Sequence, residues 1–582
     1  MFAPVVFLVN FVCQFVEIGG LKINWKTKKS MYELKPNDNF VVVFENTVKE
    51  CWNKSGLDDY KVASYTYGEL ATEIEKMALV WKAAGLKKSD KIAINAKSSA
   101  AWAITFMASQ TGGYVSVLMF NGFTPSDTAR LVAHSDARVL YTEKAIFSKM
   151  DFDSIPDVIA AIDTKSGELL ASRGNFAEVY SRKDELFAEA HPNGFTADDV
   201  HYERTGFDEL AAIMYTSGST GNPKGVMLSN LNLSSQIKII PLHFPYDRKD
   251  SYVSVLPYAH IFGMVYDMLA PLCYGMHLVV LGLPPIPANL KPALREFRPY
   301  VFFSVPLILV KLLEDTIGEF IHSKSGAAKL ADYKNNADFC EALSTIFMKA
   351  LGGNVGLFVT GGAAIPEHLE KLFVEQLQLP FVTGYGMTEA SPTISLGHKG
   401  RYKLKECGEY ADEVVDLKID STDPEHVPGE VLIRGIGVFN GYYKNEEATK
   451  AAFTKDGWFR TGDLGTVDQD HSVFLVGRCK SMILSSNGQN IFPEEIEVVL
   501  NPMPYVAESI IVSRKDRLVA LIVPDMNRAA DLDAEGLKSV MDSNLEALNK
   551  KIPAYSQVSS YELRYEPFAK TPKGSIKRFM YD

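Results

Sequence analysis

Residues Tyr215 to Gly225 read Tyr-Thr-Ser-Gly-Ser-Thr-Gly-Asn-Pro-Lys-Gly, directly after the apolar run Ala211-Ala212-Ile213-Met214. An apolar run that passes into hydroxyls and glycines is the pattern of a buried strand ending in a loop free to fold round an anion. Gly218, Gly221 and Gly225 let successive N–H groups converge, Thr216, Ser217, Ser219 and Thr220 add hydroxyl donors, and Lys224 adds a full positive charge. A polyphosphate is the guest such a loop suits. Asn222-Pro223 separates Gly221 from Lys224, so this is not the Gly-Lys-Ser/Thr phosphate loop of the common NTPases. A flexible linker has a similar composition, and other residues must decide between the two.

Three further segments carry residues suited to a nucleotide. Gly384-Tyr385-Gly386-Met387-Thr388-Glu389 ends in a carboxylate beside a tight turn, the kind of lone hard ligand that Mg²⁺ takes while keeping its waters. Trp458-Phe459-Arg460-Thr461-Gly462-Asp463 ends in an acid able to accept hydrogen bonds from two sugar hydroxyls. Gly477-Arg478-Cys479-Lys480 follows about fifteen residues later. Gly361-Gly362-Ala363, after an apolar run, permits a close approach of backbone to a ligand. A lone histidine before an apolar helix, His260, reads equally as a packed residue and as a site residue.

Taken in order, these segments resemble the signatures of the adenylate-forming (AMP-binding) superfamily, which contains acyl-CoA synthetases, the adenylation domains of peptide synthetases and the luciferases. The resemblance runs from about Tyr65 to Arg578. It implies that Thr216, Ser217, Gly218, Ser219, Thr220, Gly221 and Lys224 hold the phosphates of ATP, and that Glu389 holds Mg²⁺ while Thr388 adds a phosphate hydrogen bond. Tyr385, between Gly384 and Gly386, would set a flat face against the adenine, with Gly362 and Ala363 approaching from the other side. Asp463 and Arg478 would hold the ribose, and His260 would line the carboxylate site at its gate to a pantetheine tunnel. Lys480 matches the hinge. Rotation there would bring either the C-terminal tail or the loop Ser486-Asn487-Gly488-Gln489 to the reacting centre.

The reaction so implied joins a fatty acid to ATP, giving acyl-AMP and pyrophosphate, after which CoA displaces AMP. Leu256 to Gly275, the spacer Ile321 to Ala350 and the ending Thr571-Pro572-x-x-x-x-Lys577-Arg578 are similar to long-chain fatty acid CoA ligases more than to acetate, aryl or amino-acid activating members. One position departs. Where the family carries its C-terminal lysine this chain has Ser575, and a hydroxyl does not replace an ammonium. Lys573, two positions earlier, is the expected substitute, with Lys570 and Lys577 less well placed; in an extended tail Lys573, Ser575 and Lys577 would share one side. Transfer to a carrier protein instead of CoA, and a nucleotide-binding homologue that has lost catalysis, are the competing readings.

The elements that must position these residues alternate. Gly68 to Ala84 shows helical spacing, Lys91 to Ile94 reads as a strand, Trp102 and Phe106 lie on a helix, and Tyr114 to Leu118 is a strand. After the phosphate loop come strand Ser251 to Leu256, helix Phe262 to Cys273, strand His277 to Leu281, helix Ala288 to Phe297, strand Val301 to Ser304 and helix Leu307 to Phe320. A solvated helical insertion is expected at Ile321 to Ala350, then strand Gly356 to Thr360 and helix Pro366 to Gln376. This predicts an α/β protein: a large N-terminal region of doubly wound sheets, then a short β region from about Glu430, then a small mobile α+β domain. The expected division is residues 31–476, 477–582 with the hinge at Lys480, and an extension or misplaced gene start at 1–30.

Composition narrows the class. The 582 residues are 47% hydrophobic and 23% charged, as in a folded globular protein. With 71 acidic against 60 basic residues, a nucleic-acid partner is not expected. The six cysteines, Cys13, Cys51, Cys273, Cys340, Cys407 and Cys479, are scattered without zinc or disulfide spacing, which fits a reducing cytoplasm. Met1 to Gly20 lacks the basic start and cleavage site of a signal peptide and is short for a bilayer span, although peripheral membrane contact remains compatible with a lipid substrate. Nothing in the sequence speaks to oligomeric state.

Overall fold

The computed structural model describes residues 15–18, 21–24, 34–216, 223–484, 490–514, 517–530, 532–571 and 575–581. Near the start, strands Phe15–Ile18 and Leu21–Asn24 pair antiparallel. A seven-stranded sheet follows, in the order Lys224–Ser229, Leu210–Thr216, Val115–Leu118, Lys91–Asn95, Ala137–Thr142, Ala160–Asp163, Leu169–Ser172. Its interior pairs are parallel and both outer pairs antiparallel. Runs such as Ile92-Ala93-Ile94 are fully buried, as strands covered on both faces must be. Helix Tyr67–Ala83 starts at a capping box of Thr66 and Glu69, and its apolar positions Leu70, Ile74 and Trp81 enter the same core.

A four-stranded sheet contains Ser251–Ser254 and His277–Val280, and a five-stranded sheet runs Val301–Ser304, Leu357–Gly361, Phe381–Gly386, Thr393–Leu396, Glu409–Tyr410. Four antiparallel strands, Asp416–Asp420, Gly429–Arg434, Phe459–Val467 and Val473–Arg478, come next. Beyond them strands Val506–Arg514, Arg517–Pro524 and Ser560–Leu563 pack with helices Pro493–Leu500 and Ala534–Lys551 round apolar clusters of their own. The α/β class and the alternation expected from sequence are what the chain adopts.

Three expectations are adjusted. Residues 321–350 are helical and largely exposed, as expected, but the segment also packs: helices Lys324–Ala331 and Ala337–Ala350 bury Leu330, Cys340, Leu343 and Phe347 against the five-stranded sheet. Their polar residues make up the outer faces of amphipathic helices. Lys224 does not sit at the end of a loop but opens a return strand that pairs antiparallel with Leu210–Thr216. The tail is not extended either. Thr571 N–H donates to Ser575 O at 2.8 Å and Lys577 N–H to Ala569 O at 2.8 Å, with Lys570 bridged to Ile576, so it doubles back.

The expected helix after Phe262 is real but wound as a π-turn over Gly263–Leu269. Asp267 explains its position. This fully buried carboxylate accepts from Tyr252 Oη at 2.7 Å, Ser254 Oγ at 2.8 Å and the N–H groups of Val255 and Leu256, both at 2.7 Å. Those bonds end the strand at Ser254 and aim the segment that carries His260. Burial pushes the carboxyl up to about 6 against the pull of these donors.

Asp267→Ala leaves four buried donors without an acceptor and is expected to lower stability by about 3 kcal/mol, measured by urea unfolding. Because the folded value lies above the ordinary 3.8, this group favours folding most below that pH and loses the contribution as pH rises through about 6. Wild type should therefore lose ground against Asp267→Asn between about pH 4 and about pH 6, with little further change above that.

Candidate active site

The hairpin of Leu210–Thr216 and Lys224–Ser229 is closed by the antiparallel pair Thr216 and Lys224. Its tip, with Ser217, Gly218, Ser219, Thr220 and Gly221, lies outside the described residues. The return strand is gripped from its far side by residues 440–443. Met227 N–H donates to Gly441 O at 3.0 Å, Asn440 N–H to Met227 O at 3.0 Å and Tyr443 N–H to Gly225 O at 2.7 Å. One residue earlier, Phe439 N–H donates to Glu389 O at 2.9 Å. A single short segment thus fixes both the hairpin and the turn Thr388–Ala390 that carries Glu389. Thr388 is buried beside it.

Side chains complete the link. Lys224 Nζ lies 4.4 Å from the ring centroid of Tyr442, and the Tyr442 hydroxyl donates to Glu389 Oε1 at 3.0 Å. Burial, then the Glu389 charge, raises the Tyr442 phenol well above its ordinary range, so it remains a donor. On the opposite face of the hairpin, His134 Nδ1 and Tyr215 Oη are 2.6 Å apart. Burial lowers His134 from its ordinary value, with Lys444 adding to it.

The residues expected at a nucleoside are built on strand Phe381–Gly386, which leads into the Glu389 turn. Gly384 pairs with Gly361 in parallel register, and Gly362 takes φ +77, a left-handed turn at the end of its strand. Gly386 passes so close to its neighbour that a Cβ there would meet Pro392 O at 2.0 Å. Tyr385 Oη donates to Asp463 Oδ2 at 2.7 Å, and Arg478 Nε lies 2.8 Å from Asp463 Oδ1. Asp463 and Arg478 are direct partners across an antiparallel ladder. Burial raises the Asp463 carboxyl, and Arg478 and Tyr385 oppose that rise. Both oxygens already hold a protein donor, leaving their remaining lone pairs for sugar hydroxyls.

Gly362, Ala363, Tyr385, Asp463 and Arg478 line a cleft of about 1040 Å³ together with Glu494, Glu495 and Lys551 from the C-terminal part. Next to Lys480, Ser481 Oγ donates to Glu494 Oε1 at 2.5 Å. Cys479 N–H donates to Gly462 O at 2.9 Å.

His260 follows strand Ser251–Ser254, and its Nδ1 accepts from Phe262 N–H at 3.2 Å, so a neutral ring carries its proton on Nε2. Its ring meets Phe120 edge-on at 6.2 Å. Phe262 in turn comes up against Gly361, where a Cβ would lie 3.6 Å from the ring. Thr216 ends its strand and His260, Gly362 and Glu389 follow the carboxyl ends of theirs, as ligand sites of such sheets do.

In the tail, Lys570 is held by Glu508 and Arg578 by Glu497. Asp127 is held low chiefly by Arg130, with Lys577 of the tail adding its charge. Asp127 lies in the first turn of helix Pro125–Ser135, which follows Phe120 in the chain. Lys573 and the segment Ser486 to Gln489 lie outside the described residues.

Sequence reasoning missed Tyr442, Phe439 and Asp267. A lone aspartate inside the apolar stretch Ile261 to Cys273 was the signal for the last; the glycine and aromatic pair Gly441-Tyr442-Tyr443 was the signal for the first. Among the described residues no group of three or more His, Cys, Asp or Glu side chains is placed to hold a metal. A single carboxylate beside a phosphate loop nevertheless fits Mg²⁺, which takes one or two carboxylates and completes its shell with phosphate and water.

A protein-family model for AMP-binding enzymes matches residues 44–443, and one for the AMP-binding enzyme C-terminal domain matches 480–581. The long-chain-fatty-acid–CoA ligase FadD15 of Mycobacterium tuberculosis is 28% identical over 519 residues, 85% of this chain and 81% of that one. The long-chain-fatty-acid–[acyl-carrier-protein] ligase AEE15 of Arabidopsis thaliana is 26% identical over 550 residues, 82% of this chain and 75% of its own. The anthranilate CoA ligase AuaEII with anthranoyl-AMP superposes with a TM-score of 0.75 at 19% identity, covering 94% of this chain and 98% of its own, which establishes the adenylate-forming fold.

Arg478→Ala removes the charge that opposes the rise of Asp463. ATP affinity should fall about tenfold to a hundredfold. The acid limb of the KM for ATP should move to higher pH, since Asp463 then protonates sooner as pH falls; steady-state kinetics across pH measures both.

Proposed function

The chain belongs to the AMP-binding enzyme family, and from that premise we propose that it activates a long-chain fatty acid with ATP and passes the acyl group to CoA. As an acyl-activating adenylate-forming enzyme it needs a nucleotide grip, charge neutralisation and a placed acid. What supports this reading most is the link from Lys224 through Tyr442 to Glu389, whose turn follows the strand that carries Tyr385 toward Asp463 and Arg478.

In the proposed first step Asp463 and Arg478 take the ribose, and the adenine lies between Tyr385 and the Gly362-Ala363 backbone. Thr216, the loop and Lys224 take the phosphates. Glu389 would hold Mg²⁺, whose charge, when bound, offsets that of the triphosphate. The fatty carboxylate enters past His260 and Phe262 and attacks the α-phosphorus; the bond to pyrophosphate breaks and acyl-AMP forms. Lys573 stabilises the charge that develops, in place of the lysine missing at Ser575. Support for this comes from the neighbouring cations: Lys570 is engaged by Glu508 and Arg578 by Glu497, while Lys577 lends its charge to Asp127.

In the second step the unit 477–582 turns about Lys480 against the body 31–476, and the thiol attacks the acyl carbonyl as AMP leaves. A carrier-protein thiol is a second reading, favoured by the similarity to an acyl-carrier-protein ligase. A cytoplasmic setting is proposed from the scattered cysteines, and no described helix is long and apolar enough to cross a membrane. Peripheral contact with a membrane is compatible with the substrate.

The experiment is AMP release from ATP with fatty acids of graded length, with CoA, with a pantetheinylated carrier protein, and with neither. Release that depends on a long-chain acid and CoA is expected; release with the carrier alone selects the second reading, and ATP binding without release selects a protein that has lost catalysis. Lys573→Ala should slow acid-dependent ATP–pyrophosphate exchange about a hundredfold while sparing thioester formation from synthetic acyl-AMP. Lys480→Pro should do the reverse, read by the same two half-reactions.

A further inference from the structure

Lys224 and Glu389 pose a problem for any nucleotide site. They carry opposite charges close together, and an ammonium and a carboxylate left alone in a partly buried cavity attract strongly enough to collapse into an ion pair. That pair would neutralise the two groups a metal-bound triphosphate requires. In the structure each uses a different part of Tyr442 instead. Lys224 Nζ sits over the ring face, 4.4 Å from its centroid, and Glu389 Oε1 accepts from the hydroxyl at 3.0 Å.

The ring itself has little freedom. Tyr442 is 7% exposed, its N–H donates to Thr449 Oγ1 at 2.9 Å, and it packs edge-on against Phe439 at 4.9 Å. Residue 442 also bridges to Val226 in the return strand of the hairpin. A rigid neutral ring is thus presented to two flexible charged side chains.

We propose that Tyr442 is the positioning residue for the metal-bound triphosphate, holding Lys224 and Glu389 apart and yielding both when phosphate and metal arrive. A cation–π contact and one hydrogen bond are each weak enough to be exchanged for charge-assisted contacts to phosphate. Because the ring is neutral, neither charge is cancelled while the site waits. The inference rests on the ATP-dependent reading of this site.

The test is equilibrium calorimetry of Mg²⁺·ATP binding to the full chain, with steady-state kinetics alongside, in wild type, Tyr442→Phe and Tyr442→Leu. Tyr442→Phe keeps the ring face and loses the hydroxyl; it should bind about threefold to tenfold more weakly, and Tyr442→Leu about tenfold to a hundredfold more weakly. The KM for ATP should rise by the same factors, while kcat at saturating ATP and the KM for the acid stay within about twofold. Added salt, which screens the ion pair formed in Tyr442→Leu, should recover part of its binding relative to wild type. Tyr442→Phe, with an unchanged thermal midpoint, separates positioning from folding. Binding by both variants within twofold of wild type, or loss of kcat and acid KM with Mg²⁺·ATP affinity unchanged, overturns the inference alone. Wild type that binds no Mg²⁺·ATP overturns the nucleotide reading together with it.

Discussion

A short ladder of main-chain hydrogen bonds, from residues 440–443 to the return strand Lys224–Ser229, holds the site together. Lys224 and Glu389 are far apart in sequence, yet both are fixed to the same few residues, one by that ladder and the other by Phe439 N–H. Main-chain bonds of this kind set position without spending side-chain charge. The side chains are then left with weak, exchangeable partners. A site that must accept a highly charged nucleotide needs both properties: rigid placement of opposite charges, and no direct pairing between them.

The same division appears at the other end of the cleft. Asp463 and Arg478 face each other because their strands pair in register, and Tyr385 reaches the acid from a separate sheet. Burial there raises the Asp463 carboxyl, and the two donors work against that rise, keeping an acceptor in a place where solvent would not sustain one. Asp267 plays the structural counterpart: a buried acid whose four donors shape the approach to His260 without touching the cleft.

Much of this was legible in the sequence because the chemistry is local. Glycines and hydroxyls before Lys224, the turn ending in Glu389 and the Thr-Gly-Asp segment each declare themselves within a few residues, and continuous apolar runs gave the buried parallel strands. What stayed hidden depends on partners distant in the chain. The strand nature of Lys224–Ser229 comes from pairing on both sides, the packing of residues 337–350 from an apolar stripe diluted by polar neighbours, and the role of Tyr442 from two residues it meets only after folding. The tail misled for a related reason: Lys573, Ser575 and Lys577 alternate as a strand would, but hydrogen bonds from Thr571 and Lys577 turn it back on itself.

The central claim is that a fatty carboxylate oxygen attacks the α-phosphorus of ATP held between Lys224 and Glu389. Its most direct test uses a fatty acid labelled with oxygen-18 in both carboxyl oxygens, turned over by wild-type protein with ATP and CoA, and the AMP weighed by mass spectrometry. The account predicts AMP carrying one oxygen-18 and pyrophosphate carrying none. Unlabelled AMP, or label appearing in pyrophosphate or orthophosphate, would contradict it.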